Sequence, residues 1–231
     1  MSPVARTRIK ICGLTREADV RAAVDAGADA VGFVLYANSP RAVDAARAAE
    51  LARGLPPFVT PVLLFVNPAD AEVAQALALL PSATLQFHGD ETATDCVRWA
   101  AGRPWVRAAR IPVDPAIPYD LLDFMHAHRL ATGILVDTLS PGYGGSGLTF
   151  PWSRIPPDVD CHLVLSGGLT AANVAEGVRL LAPRVRSLAV DVSSGVEAID
   201  ATGATRKGIK DARKMQQFVA AVRAADARRQ T

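Results

Sequence analysis

The fold of this chain is constrained most strongly by a repeated alternation between short apolar runs and segments with helical spacing. The apolar runs recur about every 20 to 30 residues, which is typical of consecutive βα units and predicts a parallel sheet. We predict strands at Arg8–Cys12, Ala30–Leu35, Val62–Val66, Thr84–Phe87, Val106–Ile111, Gly133–Val136, Leu163–Leu165 and Leu188–Val192. Helical patterns follow most of them, at Ala18–Ala26, Val43–Arg53, Ala69–Leu80, Thr92–Ala100, Tyr119–Arg129, Ala171–Leu181 and Asp211–Ala227.

The number of these units favours closure of the sheet into a barrel. Several predicted strands are continuous apolar runs, such as Val62-Leu63-Leu64-Phe65-Val66, and such runs are typical of strands buried on both faces. Eight units predict a (β/α)8 TIM barrel, in which the active groups lie at the carboxyl ends of the strands. A chain of 231 residues fits one such domain, with residues 1–7 and 228–231 as flexible termini. Between the sixth and seventh strands, Pro141 and the glycines up to Gly147 predict a mobile loop with at most a short helix.

Composition and charge exclude several classes of protein. A net charge of +2 gives no reason to expect a nucleic-acid partner. Residues 1–8 contain no apolar core of a signal peptide, and no later run reaches the roughly 18 apolar residues that span a bilayer. The cysteines, Cys12, Cys96 and Cys161, include no Cys-x-x-Cys pair, which argues against a disulfide framework and a zinc cage. We therefore expect a cytoplasmic protein that binds neither membranes nor nucleic acid.

Polar and reactive residues stand at the ends of the predicted strands, where a parallel barrel meets its ligands. They are Cys12, Arg41, Gln86, His88, Arg110, Asp137, Ser166, Gly167, Gly168, Asp191, Ser193, Ser194 and Gly195. Each of them alone is also explained as a cap or turn residue. Cys12 alone is better explained as a buried structural thiol, because free cysteine is among the most buried residue types. Their joint placement at one end of the barrel is the stronger sign of a functional site.

Asp137 and Cys12 form a candidate acid–base pair. Asp137 closes an apolar run, and a carboxyl beside apolar walls can have its pKa raised enough to act as an acid near neutrality. Cys12 can act as the matching base if a nearby cation, with Lys10 and Arg41 as the candidates, activates its thiol. Such a pair suits an isomerase, which needs an acid and a base but no net redox change. The alternative is a nucleophilic Cys12 with His88 as its base, although a structural or substrate-positioning role explains His88 better.

Two loops of small residues follow the seventh and eighth strands. Ser166-Gly167-Gly168-Leu169 precedes Thr170, a candidate N-cap for a helix that starts near Ala171, and Ser193-Ser194-Gly195 follows the last strand. Glycines let backbone N–H groups approach an anion, and helix N-termini add a favourable dipole. Because the loops in these two positions commonly hold phosphate in such barrels, they predict a phosphate site.

An ordered set of short motifs resembles the phosphoribosylanthranilate isomerase family of tryptophan biosynthesis. The matching pieces are Lys10-Ile11-Cys12-Gly13-Leu14, Ser39-Pro40-Arg41, Gln86-Phe87-His88-Gly89, Leu135-Val136-Asp137, Gly144-Gly145-Ser146-Gly147, Leu165-Ser166-Gly167-Gly168-Leu169 and Asp191-Val192-Ser193-Ser194-Gly195-Val196-Glu197, followed by Lys210-Asp211. They run in order through nearly the whole chain. The resemblance implies a (β/α)8 barrel that rearranges N-(5'-phosphoribosyl)anthranilate to 1-(2-carboxyphenylamino)-1-deoxyribulose 5-phosphate, with no cofactor and no metal.

The resemblance also implies a role for individual residues. Asp137 is then the general acid that protonates the furanose ring oxygen, and Cys12 is the general base that removes the C2' proton. Arg41 matches the residue that binds the anthranilate carboxylate, a task for which a guanidinium fork is well shaped. The other expected substrate contacts are Gln86, His88 and Asp191, and the expected phosphate contacts are Gly145, Gly167, Gly168, Ser193, Ser194 and Gly195.

Two features depart from the family pattern, and two other functions remain open. Phe150-Pro151-Trp152 stands where Phe-Asp-Trp is usual, and the segment from Ala198 to Lys207 is longer than usual. One alternative is a related phosphosugar barrel, such as indole-glycerol-phosphate synthase or the histidine-pathway isomerase, but those families differ at the position of Cys12. The other is a non-catalytic phosphoribosyl-ligand binder, which the presence of both Cys12 and Asp137 disfavours. We expect a monomer or a homodimer.

Overall fold

The computed structural model describes residues 6–139, 149–157 and 159–229, and parallel strands in these segments close into a barrel. The barrel strands are β1 (Arg8–Cys12), β2 (Ala30–Val34), β3 (Thr60–Phe65), β4 (Thr84–Phe87), β5 (Trp105–Ile111), β6 (Gly133–Thr138), β7 (Val159–Leu165) and β8 (Val185–Val192). Each strand pairs with the next, and β1 also pairs with β8, with Lys10 opposite Asp191. The predicted TIM barrel is confirmed.

Helices surround this barrel on its outer face. They are α1 (Glu17–Ala26), α2 (Ala45–Ala52), α3 (Asp70–Leu79), α4 (Ala93–Ala100), α5 (Leu121–Ala127), α6 (Val174–Leu181) and α7 (Ala212–Ala227). The side chains of Asp44, Thr92 and Asp211 accept backbone N–H groups at the starts of α2, α4 and α7, which explains where these helices begin. Within the described segments, none of the helices has both the length and the apolar character that crossing a membrane requires.

The connection between β6 and β7 contains one short 3₁₀ turn, Trp152–Arg154, in its described part. Arg154 donates to the carbonyl oxygens of Pro112 and Ile117, so this turn is tied to the loop after β5. Most of the predicted mobile loop, including Gly145, lies outside the described residues.

The helix after β7 begins later than predicted. α6 starts at Val174 rather than near Ala171, because residues 171–173 form a turn. The Asn173 side chain accepts the Thr170 N–H at 2.8 Å and donates to the Gly168 carbonyl at 3.1 Å. Thr170 is therefore not the N-cap of α6; it belongs to a turn that ties the glycine loop to the helix.

A β-hairpin that the sequence pattern does not reveal connects β8 to α7. It consists of β9 (Glu197–Ile199) and β10 (Thr205–Lys210), which pair antiparallel to each other. Asp200 makes its turn by accepting the N–H groups of Thr202 and Ala204. The longer segment, Ala198 to Lys207, thus forms most of a hairpin beside the mouth of the barrel.

The residues before β1 and after α7 were expected to be flexible from 1 to 7 and from 228 onward. Thr7 is instead buried, and its N–H and hydroxyl both donate to Asp226, at 2.8 and 2.7 Å. Arg229 donates to the same carboxylate at 3.3 Å, while Arg223 donates to the Thr7 carbonyl. These contacts join the first strand to the last helix.

The hydrophobic residues divide into a large core and a small patch at the mouth. The core lies between the barrel and its helices, and it includes stacked and edge-on contacts of Phe87 with Phe65 and Trp105. A separate patch at the carboxyl ends of the first three strands consists of Cys12, Val34, Leu64 and Val66, with Tyr36 packed against it. The fold thus provides one apolar wall beside the predicted site.

Candidate active site

One cavity at the carboxyl ends of the strands brings together most of the predicted site residues. Its lining includes Cys12, Arg41, Gln86, His88, Asp137, Gly167, Gly168, Asp191, Ser193 and Ser194. Gly195 does not line this cavity; its Cα faces the carbonyl oxygen of Leu169 so closely that no side chain could fit. Gly145 lies outside the described residues. Arg110, also predicted at a strand end, does not line the cavity and instead pairs with Asp90. The other predicted residues share one cavity although they come from loops and strands spread along the whole chain.

The candidate acid, Asp137, lies on β6 and takes part in a chain of hydrogen bonds. Its Oδ2 lies 3.0 Å from Nε2 of His88, and its Oδ1 accepts the Thr138 N–H at 2.7 Å. The Nδ1 atom of His88 lies 3.0 Å from Nε2 of Gln86. With the Gln86 amide donating to Nδ1, the His88 proton lies on Nε2 and is donated to Asp137. Gln86 and His88 are two residues apart on β4 and its extension, so both side chains face the cavity while Phe87 faces the core.

The candidate base, Cys12, lies beside Lys10, two residues earlier on the same face of β1. The Lys10 ammonium donates to Asp191 Oδ1 at 2.9 Å, and both side chains are buried. Burial raises the pKa of the Cys12 thiol, and the attraction of the Lys10 cation opposes part of that increase. Burial disfavours the charged form of Lys10, but Asp191 and Cys12 together raise the Lys10 pKa above its ordinary value. Lys10 is therefore a permanent cation beside the thiol, and of the two predicted candidates it, rather than Arg41, is the one in contact.

Gly32 on β2 makes room for this arrangement. A Cβ at this position would lie 2.6 Å from Cys12 Sγ and 3.1 Å from Lys10 Nζ, so a side chain would displace both groups. The parallel register places Gly32 directly opposite Cys12. The absence of a side chain here is thus a requirement of the site, which sequence reasoning did not identify.

Arg41 follows β2 and makes a buried, bidentate ion pair with Glu197. Its Nε donates to Glu197 Oε1 at 2.7 Å and its Nη2 to Oε2 at 2.9 Å. Glu197 also accepts the Gly208 N–H at 2.8 Å. Gly13, with a φ of 75°, lies against the Arg41 side chain, since a Cβ there would be 2.6 Å from Arg41 Cδ. The guanidinium is thus held between the first loop and the hairpin.

Lys210, on β10, is a second buried cation next to this pair. Its Nζ donates to the Ser193 carbonyl at 2.9 Å and lies 3.4 Å from Glu197 Oε1. Burial lowers the pKa of Lys210 to about 8, although Glu197 raises it and Arg41 lowers it further. Neither Glu197 nor Lys210 was given a role from the sequence. The available signal was that Glu197 ends the family-like motif that begins at Asp191, and Lys210 begins the residue pair that follows it.

The opposite side of the cavity is formed by backbone of the two small-residue loops. Gly167 and Gly168 both have positive φ, 81° and 62°, which favours glycine. A Cβ on Gly167 would lie 2.7 Å from the Thr138 nitrogen and 2.8 Å from Asp137 Oδ1, so this loop packs directly on the candidate acid. Across the described part of the chain, the N–H groups of Gly167 and Gly168 have no protein acceptor. Together with Ser193 and Ser194 they line this side of the cavity.

The closed barrel, with a carboxyl, a thiol and two glycine–serine loops at its mouth, places the protein among the TIM-barrel isomerases. A family model described as N-(5'phosphoribosyl)anthranilate (PRA) isomerase matches residues 9–221. The chain belongs to this family, an isomerase family of tryptophan biosynthesis, and the resemblance drawn from the motifs is confirmed.

Similar proteins and structures agree with this membership. The N-(5'-phosphoribosyl)anthranilate isomerase of Methylibium petroleiphilum is 58% identical over 96% of this chain and 97% of its own length, and that of Leptothrix cholodnii is 56% identical over 99% and 96%. A crystal structure of phosphoribosyl anthranilate isomerase in complex with reduced 1-(o-carboxyphenylamino)-1-deoxyribulose 5-phosphate has a TM-score of 0.76 and 33% identity, over 94% of this chain and 99% of that one. The Thermus thermophilus enzyme has a TM-score of 0.77 and 30% identity over the same shares.

Proposed function

We propose that this isomerase acts on N-(5'-phosphoribosyl)anthranilate by general acid–base catalysis, with Asp137 as the acid and Cys12 as the base. The observation that carries the proposal is the presence of both groups in one cavity, on β6 and β1, which are not neighbouring strands. A substrate that fills the cavity then lies between them. Proton transfer by a positioned group typically contributes about 10² to 10⁴ in rate.

The first half of the reaction uses Asp137. Its carboxyl gives a proton to the furanose ring oxygen, the bond from that oxygen to C1' breaks, and the lone pair of the anthranilate nitrogen forms a C=N bond to C1'. The His88 N–H donates to Asp137 Oδ2, so His88 and Gln86 hold the carboxyl in orientation. The Gly167 loop packs against Oδ1, which restricts its rotation.

The second half uses Cys12. The thiolate takes the proton from C2', the electrons of that C–H bond form an enolamine, and the enolamine gives the 2-ketone by tautomerisation. Burial raises the Cys12 pKa and keeps the thiolate fraction small, so the Lys10 cation is needed to stabilise the basic form. The rate of this second half should therefore rise with pH as the thiolate fraction increases.

Substrate binding is divided between the two sides of the cavity. The phosphate is bound by the Gly167 and Gly168 N–H groups together with Ser193 and Ser194, where a phosphate can accept several hydrogen bonds. Gly145 is proposed to join this phosphate site. Gly195, which does not line the cavity, is proposed to support the site by letting the Ser193–Ser194 loop pack against the Leu169 carbonyl.

Arg41 binds the anthranilate carboxylate on the other side, and the aromatic ring lies on the apolar patch of Val34, Leu64 and Val66. Asp191 offers a ribose hydroxyl the carboxylate oxygen that Lys10 does not occupy. In this arrangement each of the three chemical parts of the substrate has its own group of contacts.

The test generates the fluorescent substrate in place from anthranilate and phosphoribosyl pyrophosphate and follows its decay. We expect fast decay with the wild-type chain and a loss of about two or more orders of magnitude in Cys12→Ala and in Asp137→Asn. Cys96→Ala is the matched control, because Cys96 is also buried but lies in the hydrophobic core away from the cavity. Near-normal turnover of either site variant would remove that residue from its role.

The same assay separates the alternative functions. Binding of the substrate without any decay would indicate a non-catalytic phosphoribosyl-ligand binder. A substrate panel that includes the histidine-pathway aldose tests whether the chain also works on the substrate of a related barrel.

The free cysteines and a dimeric relative are the basis for proposals about the location and the oligomeric state of the protein. The free cysteines, Cys12, Cys96 and Cys161, favour a reducing compartment, and we place the protein in the cytoplasm with a small-molecule phosphosugar, rather than nucleic acid or membrane, as its partner. A Thermotoga maritima relative of 30% identity is described as a dimeric enzyme from which monomers were generated. Sedimentation velocity of this chain decides between monomer and homodimer.

A further inference from the structure

We propose that Glu197 is a positioning residue for substrate recognition: it fixes Arg41 so that the outer edge of the guanidinium faces the anthranilate carboxylate. The inference rests on the proposed function, in which Arg41 binds that carboxylate. It adds a residue from the hairpin, outside the eight barrel strands, to the substrate-binding machinery.

Arg41 has more hydrogen-bond donors than Glu197 uses. A guanidinium carries five N–H donors in a rigid fork. Glu197 accepts from Nε and from Nη2, at 2.7 and 2.9 Å, which uses one edge of the fork. Among the described residues no protein acceptor contacts the other three donors, two on Nη1 and one on Nη2. Two of these three, one on Nη1 and one on Nη2, lie on the outer edge, which can still take a second carboxylate in bidentate geometry.

Glu197 is held rigidly by several contacts besides Arg41. Its side chain is fully buried, and Oε1 also accepts the Gly208 N–H at 2.8 Å. Its own carbonyl oxygen accepts from Lys214 at 2.8 Å, and the β9–β10 register pairs it with Lys210. A carboxylate fixed at so many atoms cannot follow Arg41 if the guanidinium moves, so it determines where the guanidinium lies.

The charges of the groups around Glu197 also favour an anionic ligand at Arg41. Arg41, Lys210 and Glu197 together carry a net charge of about +1 while Lys210 is protonated, and Lys10 is neutralised by Asp191 on the adjacent strand. One positive charge is therefore left for an anionic substrate group. Without the Glu197 carboxylate, Arg41 and Lys210 would be buried like charges that repel each other, and the guanidinium would turn away from its position.

The test measures preference for a carboxylate, which a merely structural role of Glu197 would not change. The probes are reduced 1-(2-carboxyphenylamino)-1-deoxyribulose 5-phosphate and its phenylamino counterpart without the carboxyl group, and calorimetry gives the Kd of each. The variant is Glu197→Gln, which keeps size and one acceptor oxygen but removes the charge. Its matched control is Glu91→Gln, because Glu91 is an equally buried glutamate paired with a different arginine, Arg107.

We expect wild type to prefer the carboxylated probe by about 10- to 100-fold, the range for hydrogen bonds to charged groups. This ratio should fall about tenfold in Glu197→Gln and stay within about twofold in Glu91→Gln, while kcat at saturating substrate changes much less than KM. Equal weakening of both probes by Glu197→Gln, or no weakening, would overturn the inference. If Glu197→Gln shows no thermal unfolding transition, Glu197→Asp, whose shorter side chain cannot keep both bonds, is judged by the same ratio.

The outcome for wild type separates this inference from the proposed function. If wild type has no preference for the carboxylated probe, the proposed role of Arg41 fails and the role of Glu197 fails with it. If wild type has the preference and Glu197→Gln keeps it in full, Arg41 stands as the carboxylate ligand and only the positioning role of Glu197 is rejected.

Discussion

Two buried arginine–glutamate pairs in this barrel have similar burial but different hydrogen bonding. Arg107 is 3% exposed and pairs with Glu91 at 3.1 Å, while Arg41 is 6% exposed and pairs with Glu197 at 2.7 Å. Exposure and ion pairing therefore do not distinguish them. What differs is how many donors of each guanidinium are already used by the protein.

All the donor atoms of Arg107 are used by the protein. Its Nη1 donates to the Phe87 carbonyl at 2.9 Å, its Nη2 to the carbonyls of Gly89 and Glu91, and its Nε to His128 Nε2. Such an arginine joins the end of β4, its loop and α5, and has no donor left for a ligand. Arg41 lines the cavity, and among the described residues Glu197 takes only its Nε and one Nη2 donor. A buried arginine is thus informative about function only when its unused donors are identified.

The largest expected effect is on stability, at the Arg107–Glu91 pair, where the protein uses every donor atom of the arginine. Arg107→Met should lower the free energy of unfolding by about 3–5 kcal/mol, because it leaves the Glu91 carboxylate buried without its cation and several carbonyls without donors. Urea denaturation measures the change. Arg41→Met is the matched variant and should cost less, because Lys210 and the Gly208 N–H still contact Glu197. A larger loss in Arg41→Met would reverse the assignment of the two pairs.

The next largest effect is on substrate binding, at the Arg41–Glu197 pair, where the arginine keeps donors that the described protein groups do not use. Arg41→Ala should raise KM by about 10- to 100-fold, equivalent to about 1.5–3 kcal/mol for hydrogen bonds between charged groups, with a small change in kcat. The reason is that the substrate carboxylate loses its fork while Asp137 and Cys12 remain in place. Steady-state kinetics measures both constants. An unchanged KM would mean that another cation holds the carboxylate.

A smaller effect is expected on the pH dependence of stability, through His128, which accepts a hydrogen bond from Arg107. Burial lowers the pKa of His128, and the Arg107 cation lowers it further, while the bond to the Phe124 carbonyl opposes both. The unfolded chain therefore binds a proton at His128 before the folded chain does. As pH falls below about 6.5, stability should decline by at most about 1.4 kcal/mol per pH unit, down to the folded-state pKa. Urea denaturation between pH 7.5 and 5 should show this decline in wild type, and His128→Asn should reduce it; parallel curves would exclude His128 as the cause.

The smallest effect is a difference in thiol reactivity with no change in stability. Burial raises the pKa of Cys12, which shares the cavity with Arg41, and burial raises the pKa of Cys96 to about 12 although the Arg107 cation opposes this. Cys12 lines the cavity, whereas Cys96 lies fully buried in the core. Iodoacetamide should label Cys12 first, at a rate that rises about tenfold per pH unit below its pKa, and the reduced product analogue should protect it. Mass spectrometry of the peptides gives both rates; equal labelling of both thiols would show that the cavity gives Cys12 no special access.

The strands were predictable from the sequence where they are continuous apolar runs. β4 was predicted at its observed bounds, and Thr84–Phe87 is a run whose residues are nearly all buried. β7 was predicted only as Leu163–Leu165, because its first half contains the exposed residues Asp160 and His162, which conceal a strand that pairs with β8. The β9–β10 hairpin was missed because short strands with exposed charged residues carry no apolar pattern.

The site was predictable to the extent that strand ends determine it. Cys12 and Asp137 were placed in one cavity because each directly ends an apolar run, and parallel strands all end on the same side. The partner of Arg41 could not be predicted in this way, because Glu197 is 156 residues away and no local pattern encodes the contact. The same holds for Gly32, whose importance depends on which residue stands opposite it in the register.

The closure of the barrel between β1 and β8 determines when the site can form as the chain is synthesised. Lys10 meets Asp191 across 181 residues, and Thr7 meets Asp226 across 219. Contacts of such long range form slowly, because a long loop must be closed before they are made. A nascent chain that has emerged only as far as β7 therefore has Lys10 without Asp191 and Arg41 without Glu197. Acid–base activity should be absent during most of translation and appear only when the last quarter of the chain has left the ribosome.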